Sequence, residues 1–235
     1  MAVDQTEMKR VAAAKAVEFV HDGMKLGLGT GSTAEIFLEL LAARVRGGLN
    51  VIGTPTSERT AEKARSLGIP LANLDDLAPL DLTIDGADEA DRKLNLIKGA
   101  GGALLREKIV AASSARMIVI ADRTKLVPRL GRFPLSIEIL EFGQKMTARR
   151  VVDGLATLGY RDVAVTLRSR DGLTFVSDSG NLIYDCALGA ITSPPKLAAL
   201  LAAIPGVVEH GLFIGMATTL IVAHPRRIQI IEKAK

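Results

Sequence analysis

Residues 24–46 read "MKLGLGTGSTAEIFLELLAARVR", and the reading of this stretch decides the fold class. A short apolar run, "MKLGLG", enters the glycine-rich turn "GLGTGSTA" at 27–34. From about Ala34 to Arg46 the apolar residues then recur at helical spacing. Strand, glycine turn and helix in that order form a β–α unit, and the flanking sequence repeats the rhythm. Upstream, "TEMKRVAAAKAVEFV" at 6–20 reads as a helix. Downstream, "NVIGTP" is an apolar run and "SERTAEKARSLG" a polar-faced helix with Gly68 as its C-cap; "IPLANL", "DLTIDG" and "RMIVIAD" are further short strands. Strands alternating with helices predict a parallel sheet covered on both faces, in the Rossmann manner.

After about Leu130 the rhythm changes. "FPLSIEIL" reads as a strand, "GQKMTARRVVDGLATLG" as a helix, and "DVAVTLR" and "FVSDSGNLIYDC" as antiparallel strands, the latter broken by its "DSGN" turn. "PPKLAALLAAI" reads as a helix and "GVVEHGLF" as a strand. Strand, helix, strand, strand, helix, strand is the ferredoxin-like split unit. The expected architecture is α/β: a Rossmann-like domain over 1–130 and 207–235, with an inserted ferredoxin-like α+β domain over 131–206. The final "ATTLIVAHPRRIQIIEK" holds two short strands expected to return to the first domain.

Composition narrows the function. The chain has 235 residues, 48% hydrophobic and 24% charged, enough for a buried core. No charged leader precedes an apolar segment, and no run approaches the roughly 18 apolar residues of a membrane span. A cytoplasmic protein with no membrane partner is expected. Formal net charge is +4, no block of five like charges occurs, and there is no Trp and only 3% aromatics. Lacking the stacking platforms of single-strand binders, the chain is expected to have no nucleic-acid partner; its mild basic excess suits small anions. Cys186, the one cysteine, has no disulfide partner and reads as a buried small hydrophobe. His21, His210 and His224 form no metal-ligand pattern, and no metal site is expected.

Three stretches carry chemistry. In "GLGTGSTA", Gly27, Gly29 and Gly31 give G-x-G-x-G, which departs from the dinucleotide fingerprint, and no Gly-Lys-Ser/Thr follows as a P-loop requires. What remains is a loop whose amides and hydroxyls, from Thr30, Ser32 and Thr33, could wrap a small oxyanion at the positive end of a helix. The plainer alternative is a tight turn with Ser32 or Thr33 as N-cap. In "TIDGADEAD", Asp85, Asp88 and Asp91 follow an apolar strand; they suit Mg²⁺ ligation, proton transfer, or merely a solvated acidic loop. In "NLIKGAGGALLREKIV", Lys98 precedes Gly99, Gly101 and Gly102, a second flexible loop that opens a helix. Periodicity puts Leu105, Ile109 and Ala112 on one face of it and makes Glu107 a surface charge.

These three stretches, with "IADRTKLV", "GNLIYDC" and "IPGVVEHGLF", resemble the sequence hallmarks of ribose-5-phosphate isomerase type A, in order over nearly the whole chain. The resemblance implies a Rossmann-like domain with a ferredoxin-like insert. It also implies interconversion of ribose 5-phosphate and ribulose 5-phosphate through an enediolate, in the pentose phosphate pathway. Such a reaction needs a phosphate anchor, help in opening the sugar ring, a base that moves a proton between C1 and C2, and donors for the enediolate oxygen.

By that resemblance Glu107 is the base, the role of a glutamate in triosephosphate isomerase, against its reading from periodicity. Asp85 matches the ring-opening aspartate, Asp88 an orienting carboxylate, and Lys98 the charge that stabilises the oxyanion. Thr30, Gly31, Ser32 and Thr33 would hold phosphate or sugar oxygens, flanked by Gly99, Gly101 and Gly102. Lys9 and Lys125 match lysines near the phosphate end, although a bare surface lysine is the commoner case. No cofactor is implied, because Lys98 and backbone amides supply the electrophile, and the family favours a homodimer or homotetramer. Ser136 stands where the family usually has proline, and Ser177 and Ser179 where Thr and Asn are common; these departures are expected to leave the chemistry untouched.

Other readings differ by feature. Among isomerases, deaminases and CoA transferases of the same superfamily, a deaminase would carry a histidine in its acid–base motif, and a CoA transferase its own catalytic glutamate in a longer chain. A sugar-phosphate-sensing module would need no base but an attached DNA-binding domain, for which two domains leave no space. A Mg²⁺-dependent phosphatase would be stopped by EDTA.

Overall fold

The computed structural model describes residues 5–233. Helix α1 (Gln5–Val17) leads into β1 (Lys25–Leu28), and the glycine turn opens α2 (Ser32–Arg46). Next come β2 (Ile52–Pro55), α3 (Glu58–Ser66), the single turn α4 (Leu74–Leu77) and β3 (Leu82–Asp85). Two-residue strands β4 (Glu89–Ala90) and β5 (Leu96–Ile97) precede α5 (Leu104–Ala112) and β6 (Met117–Asp122), which ends in a 3-10 turn over Arg123–Lys125. The inserted unit then runs β7 (Leu135–Ile139), α6 (Gln144–Thr157), β8 (Ala164–Leu167), a small hairpin of β9 (Ser169–Arg170) and β10 (Leu173–Thr174), β11 (Leu182–Ala187), α7 (Pro194–Ala202) and β12 (Val207–His210). The chain closes with β13 (Leu212–Phe213), β14 (Thr219–His224) and β15 (Arg227–Glu232).

The main sheet has the order β15-β14-β6-β3-β1-β2, parallel except for the antiparallel edge strand β15. The two C-terminal strands thus return to the first unit, as their sequence suggests. Along β6, Ile118 and Ile120 face a core built with α1 and α2, while Met117, Val119 and Ala121 face the opposite core. Burial on both faces explains why "RMIVIAD" is an unbroken apolar run. The second face is covered by the three-stranded sheet β13-β5-β4 and Ala111 of α5, so its cover is not purely helical.

The second sheet, β12-β7-β11-β8, is antiparallel throughout, in the strand order of the ferredoxin-like split unit. Leu135, Ile137 and Ile139 of β7 alternate into a core with Val151, Leu155, Leu197 and Leu201 of α6 and α7. Cys186 is fully buried in that core, and burial pushes its thiol up to about 12.

Local expectations fail in three places. "IPLANL" is no strand: Leu71 makes one isolated bridge to Gly53, and α4 follows at once. "GVVEHGLF" is two strands, because Gly211 separates β12, paired with β7, from β13, paired with β5. Strand pairing therefore carries the inserted unit's sheet to His210, past the expected boundary at 206. "FVSDSGNLIYDC" is broken at its "DSGN" turn as expected, but its first half is no strand: Leu182–Cys186 join the ladder, while Val176 makes only an isolated bridge back to Leu182 around the turn.

Candidate active site

The carboxyl ends of β1 and β3 converge on a cleft, the position where open α/β sheets place ligands. Gly31, at φ 111, is the N-cap of α2 and brings no capping side chain. That backbone geometry favours glycine, and it leaves the first-turn amides of α2 directed at the cleft. The expected N-cap role of Ser32 or Thr33 is therefore not taken. Ser32 Oγ instead accepts from Lys9 Nζ at 2.9 Å.

Thr30 is placed differently from its expected role as a ligand hydroxyl. Its Oγ1 lies 2.8 Å from Thr56 Oγ1, 2.8 Å from Ser57 Oγ and 3.0 Å from Thr60 Oγ1, and Thr60 in turn donates to Gly29 O at 3.0 Å. This web of hydroxyls ties the glycine turn to the start of α3. Thr30 holds the shape of the loop while its hydroxyl faces inward.

Asp85 ends β3 and is fully buried; its Oδ1 accepts from Thr30 N–H at 3.1 Å and Gly86 N–H at 2.7 Å. Lys98 Nζ stands 3.0 Å from Asp85 Oδ2 and 3.2 Å from Glu107 Oε1, and donates to Gly86 O at 2.7 Å. One ammonium thus bridges two carboxylates. Glu107 is 4% exposed, and its Oε2 has no hydrogen-bond partner. The periodicity reading of α5 is overturned: its buried stripe is Leu104, Glu107, Val110 and Ala111, whereas Ile109 is 47% exposed. The charge of Lys98 and the cleft at its tip let a glutamate occupy the inward face.

Electrostatics follow from burial. Desolvation pushes Glu107 up to about 8, with Lys98 pulling it down and the nearby Asp85 and Asp88 adding to the rise. Asp85 is raised for the same first reason, opposed by Lys98 and by the two amides. For Lys98 burial favours the neutral amine, but Asp85, Glu107 and Asp88 outweigh it and hold the ammonium above its ordinary range.

The cleft has a volume of about 220 Å³ and is lined by Lys9, Thr30, Gly31, Ser32, Thr33, Asp88, Lys98, Gly99, Gly101, Glu107 and Lys125. Two expected residues are absent from its wall. Asp85 sits behind Lys98, and Gly102 is buried against the inserted unit. Asp88 is on the wall, its Oδ2 accepting from Ala100 N–H at 2.9 Å. Asp91 does not join the other two aspartates, since its oxygens accept from Lys93, Asn95 and the Asn95 amide within its own turn. Among the described residues, no group of three or more His, Cys, Asp or Glu is disposed to hold a metal ion.

Sequence reasoning missed Gln5, Gly86, Ala87 and Ala100 of the lining. Gln5 Nε2 donates to Asp122 Oδ2 at 3.0 Å, and Asp122 Oδ1 accepts from Thr124 N–H at 2.8 Å, capping the turn that presents Lys125. Three roomier hollows, of about 260, 300 and 610 Å³, hold none of the expected residues except Asp91 on the wall of the last, so volume alone does not locate the site.

A family model for ribose 5-phosphate isomerase A (phosphoriboisomerase A) matches residues 52–227, well over half of the sequence. The chain belongs to the ribose 5-phosphate isomerase A family. Ribose-5-phosphate isomerase A of Nitrobacter hamburgensis is 58% identical over 226 residues, covering 96% of this chain and 97% of its own. The enzyme of that name from Bradyrhizobium diazoefficiens is 55% identical over 237 residues, covering 99% and 98%. Among solved structures, ribose 5-phosphate isomerase from Plasmodium falciparum matches with a TM-score of 0.92 at 37% identity, over 98% of this chain and 100% of its own. A D-ribose-5-phosphate isomerase in complex with phospho-erythronic acid matches with a TM-score of 0.91 at 35% identity and the same coverage.

Proposed function

We propose that this chain is an aldose–ketose isomerase that interconverts D-ribose 5-phosphate and D-ribulose 5-phosphate through an enediolate. The observation that carries the reading is Glu107: a buried carboxylate on the cleft wall, one oxygen on Lys98 and the other without a partner. A site for phosphate supports it at the other end of the same cleft, where the open start of α2 meets Lys9 and Lys125. The related isomerase bound to phospho-erythronic acid carries, in its ligand, an acid group and a phosphate, the charge pattern of an enediolate phosphate.

In this scheme the amides of Ser32 and Thr33, with Lys9 and Lys125, bind the phosphate and set the depth of the sugar. Asp88, on the wall, assists ring opening; Asp85, behind it, holds Lys98 and the Thr30 amide in place. Glu107 Oε2 takes the proton from C2 of the open aldose and returns it to C1, while the hydroxyl proton of O2 passes to O1 so that the enediolate closes to the ketose. Protonation neutralises Glu107 just as charge develops on the substrate oxygen. The Lys98 ammonium then loses one of its two counter-charges and is free to stabilise the enediolate. A cytoplasmic setting and a homodimer or homotetramer, with no membrane or nucleic-acid partner, belong to the same reading.

The test is a coupled assay of ribose 5-phosphate conversion after EDTA treatment. Turnover that persists is the expected result. Phosphate binding without turnover would favour the sensing module, and ammonia release from an amino-sugar phosphate would favour a deaminase.

A further inference from the structure

Arg168 stands between β8 and β9 of the inserted unit, and its side chain reaches out of that unit. Nε and Nη2 grip the Asp185 carboxylate at 2.8 and 2.5 Å, and Nη2 also donates to Ser136 Oγ at 2.7 Å. Nη1 crosses to the cleft wall, donating to Gly99 O at 2.7 Å and more weakly to Ala100 O at 3.4 Å. A carboxylate held in two places fixes the plane of a guanidinium, so the direction of the remaining nitrogen is set. The side chain is 12% exposed, which shields these bonds from water.

The loop it reaches is a turn closed by Gly102 N–H to Gly99 O at 3.0 Å. On one side Gly99, Ala100 and Gly101 line the cleft, and Ala100 N–H is held by Asp88. On the other side the turn rests on the inserted unit: a Cβ on Gly102 would lie 2.4 Å from the Phe175 ring, over which the Arg168 guanidinium sits at 5.7 Å. In a trans peptide the N–H points opposite to the C=O. Drawing Ala100 O toward Arg168 therefore turns Gly101 N–H toward the cleft. Lys98 Nζ donates to Gly86 O and is paired with Asp85 Oδ2 at 3.0 Å and Glu107 Oε1 at 3.2 Å, so a second donor beside it would share the charge of a developing oxyanion.

We propose that Arg168 is a positioning residue for the isomerisation: by holding Gly99 O and Ala100 O it aims Gly101 N–H at the substrate oxygen on which charge develops. The proposal rests on the isomerase reading. Ser136, expected to be irrelevant to the chemistry, is part of this clamp, with its Oγ also donating to Asp185 Oδ1 at 3.0 Å.

The experiment compares wild type, Arg168→Ala and Arg168→Lys by steady-state kinetics on ribose 5-phosphate, inhibition by inorganic phosphate, and amide hydrogen exchange. A misdirected oxyanion donor costs less than a deleted one, so kcat should fall by about 10- to 100-fold in both variants. KM and phosphate inhibition should stay within about threefold, because the phosphate end is untouched. Added guanidinium should restore part of the kcat of Arg168→Ala, and amides 99–102 should exchange faster while those of β6 do not. Lysine keeps the charge without the fork and should not rescue. Turnover within twofold of wild type in both variants, unchanged exchange of the loop, or a loss of activity that guanidinium leaves untouched would each overturn the proposal. An inactive wild type would instead overturn the isomerase reading, while loop exchange would still decide whether Arg168 holds the turn.

Discussion

At the inner end of the cleft Lys98, Asp85 and Glu107 are almost wholly shielded from water, whereas at the outer end Lys9 and Lys125 are half-buried and Ser32 is exposed. The same kinds of charge do different work in the two places. In the dry end burial raises both carboxylates and binds their protonation to one ammonium, which is what proton transfer near neutral pH requires. In the wet end, on the proposed reading, the half-buried cations meet a phosphate that does not change during the reaction. Their contacts are the same in the ground and transition states, so they set affinity more than rate.

That contrast is broken most severely by Glu107→Gln, which keeps the shape and removes the base. We expect kcat to fall by roughly 10³-fold while inorganic phosphate still binds, as read by competition; a variant with wild-type kcat would end the distinction. Lys98→Met should lower kcat by about 10²-fold. It also sharpens the pH argument. Glu107 must be ionised to accept a proton, so kcat/KM of the wild type should rise with pH through the region near 8, well above an ordinary carboxylate. Lys98 pulls both carboxylates down, so its removal should move that limb to higher pH, and a limb that stays put would show that Lys98 does not set it.

At the other end, Lys9→Ala should raise KM by about tenfold with a smaller change in kcat. A large fall in kcat at unchanged KM would place Lys9 in the chemistry. The smallest effect concerns stability. The folded state raises Glu107 from 4.5 to about 8, so the stability linked to its proton is full below about 4.5 and is lost as pH rises through about 8. The Tm of Glu107→Gln relative to wild type should therefore climb between pH 5 and pH 9. A gap that does not vary with pH would contradict the raised pKa.

How far the sequence reveals this arrangement depends on the distance over which each feature is determined. The β–α rhythm, the glycine turn before α2 and the strand ending at Asp85 are local patterns of period and turn chemistry, and they are legible. Glu107 is not, because the apolar spacing of Leu105 and Ile109 marks the wrong face of α5; the inward stripe is defined by Lys98, which arrives from a different element. The fate of the Thr30 hydroxyl depends on Thr56, Ser57 and Thr60, more than 25 residues onward. The split of "GVVEHGLF" is equally hidden, since an apolar run carries no sign that its halves pair in different sheets. Family resemblance singled out Glu107 as the candidate base; the burial of Asp85 behind the cleft and the hold of Arg168 on Gly99 required three dimensions.

The central claim is that the buried carboxylate moves the proton and the cationic rim only binds. The most direct test is conversion of ribose 5-phosphate in D₂O at saturating substrate by wild type, Glu107→Gln and Lys9→Ala, with deuterium at C1 of ribulose 5-phosphate followed by NMR. Incorporation by wild type and Lys9→Ala, lost in Glu107→Gln while phosphate still binds, is the predicted result. Incorporation at the wild-type rate by Glu107→Gln would contradict it.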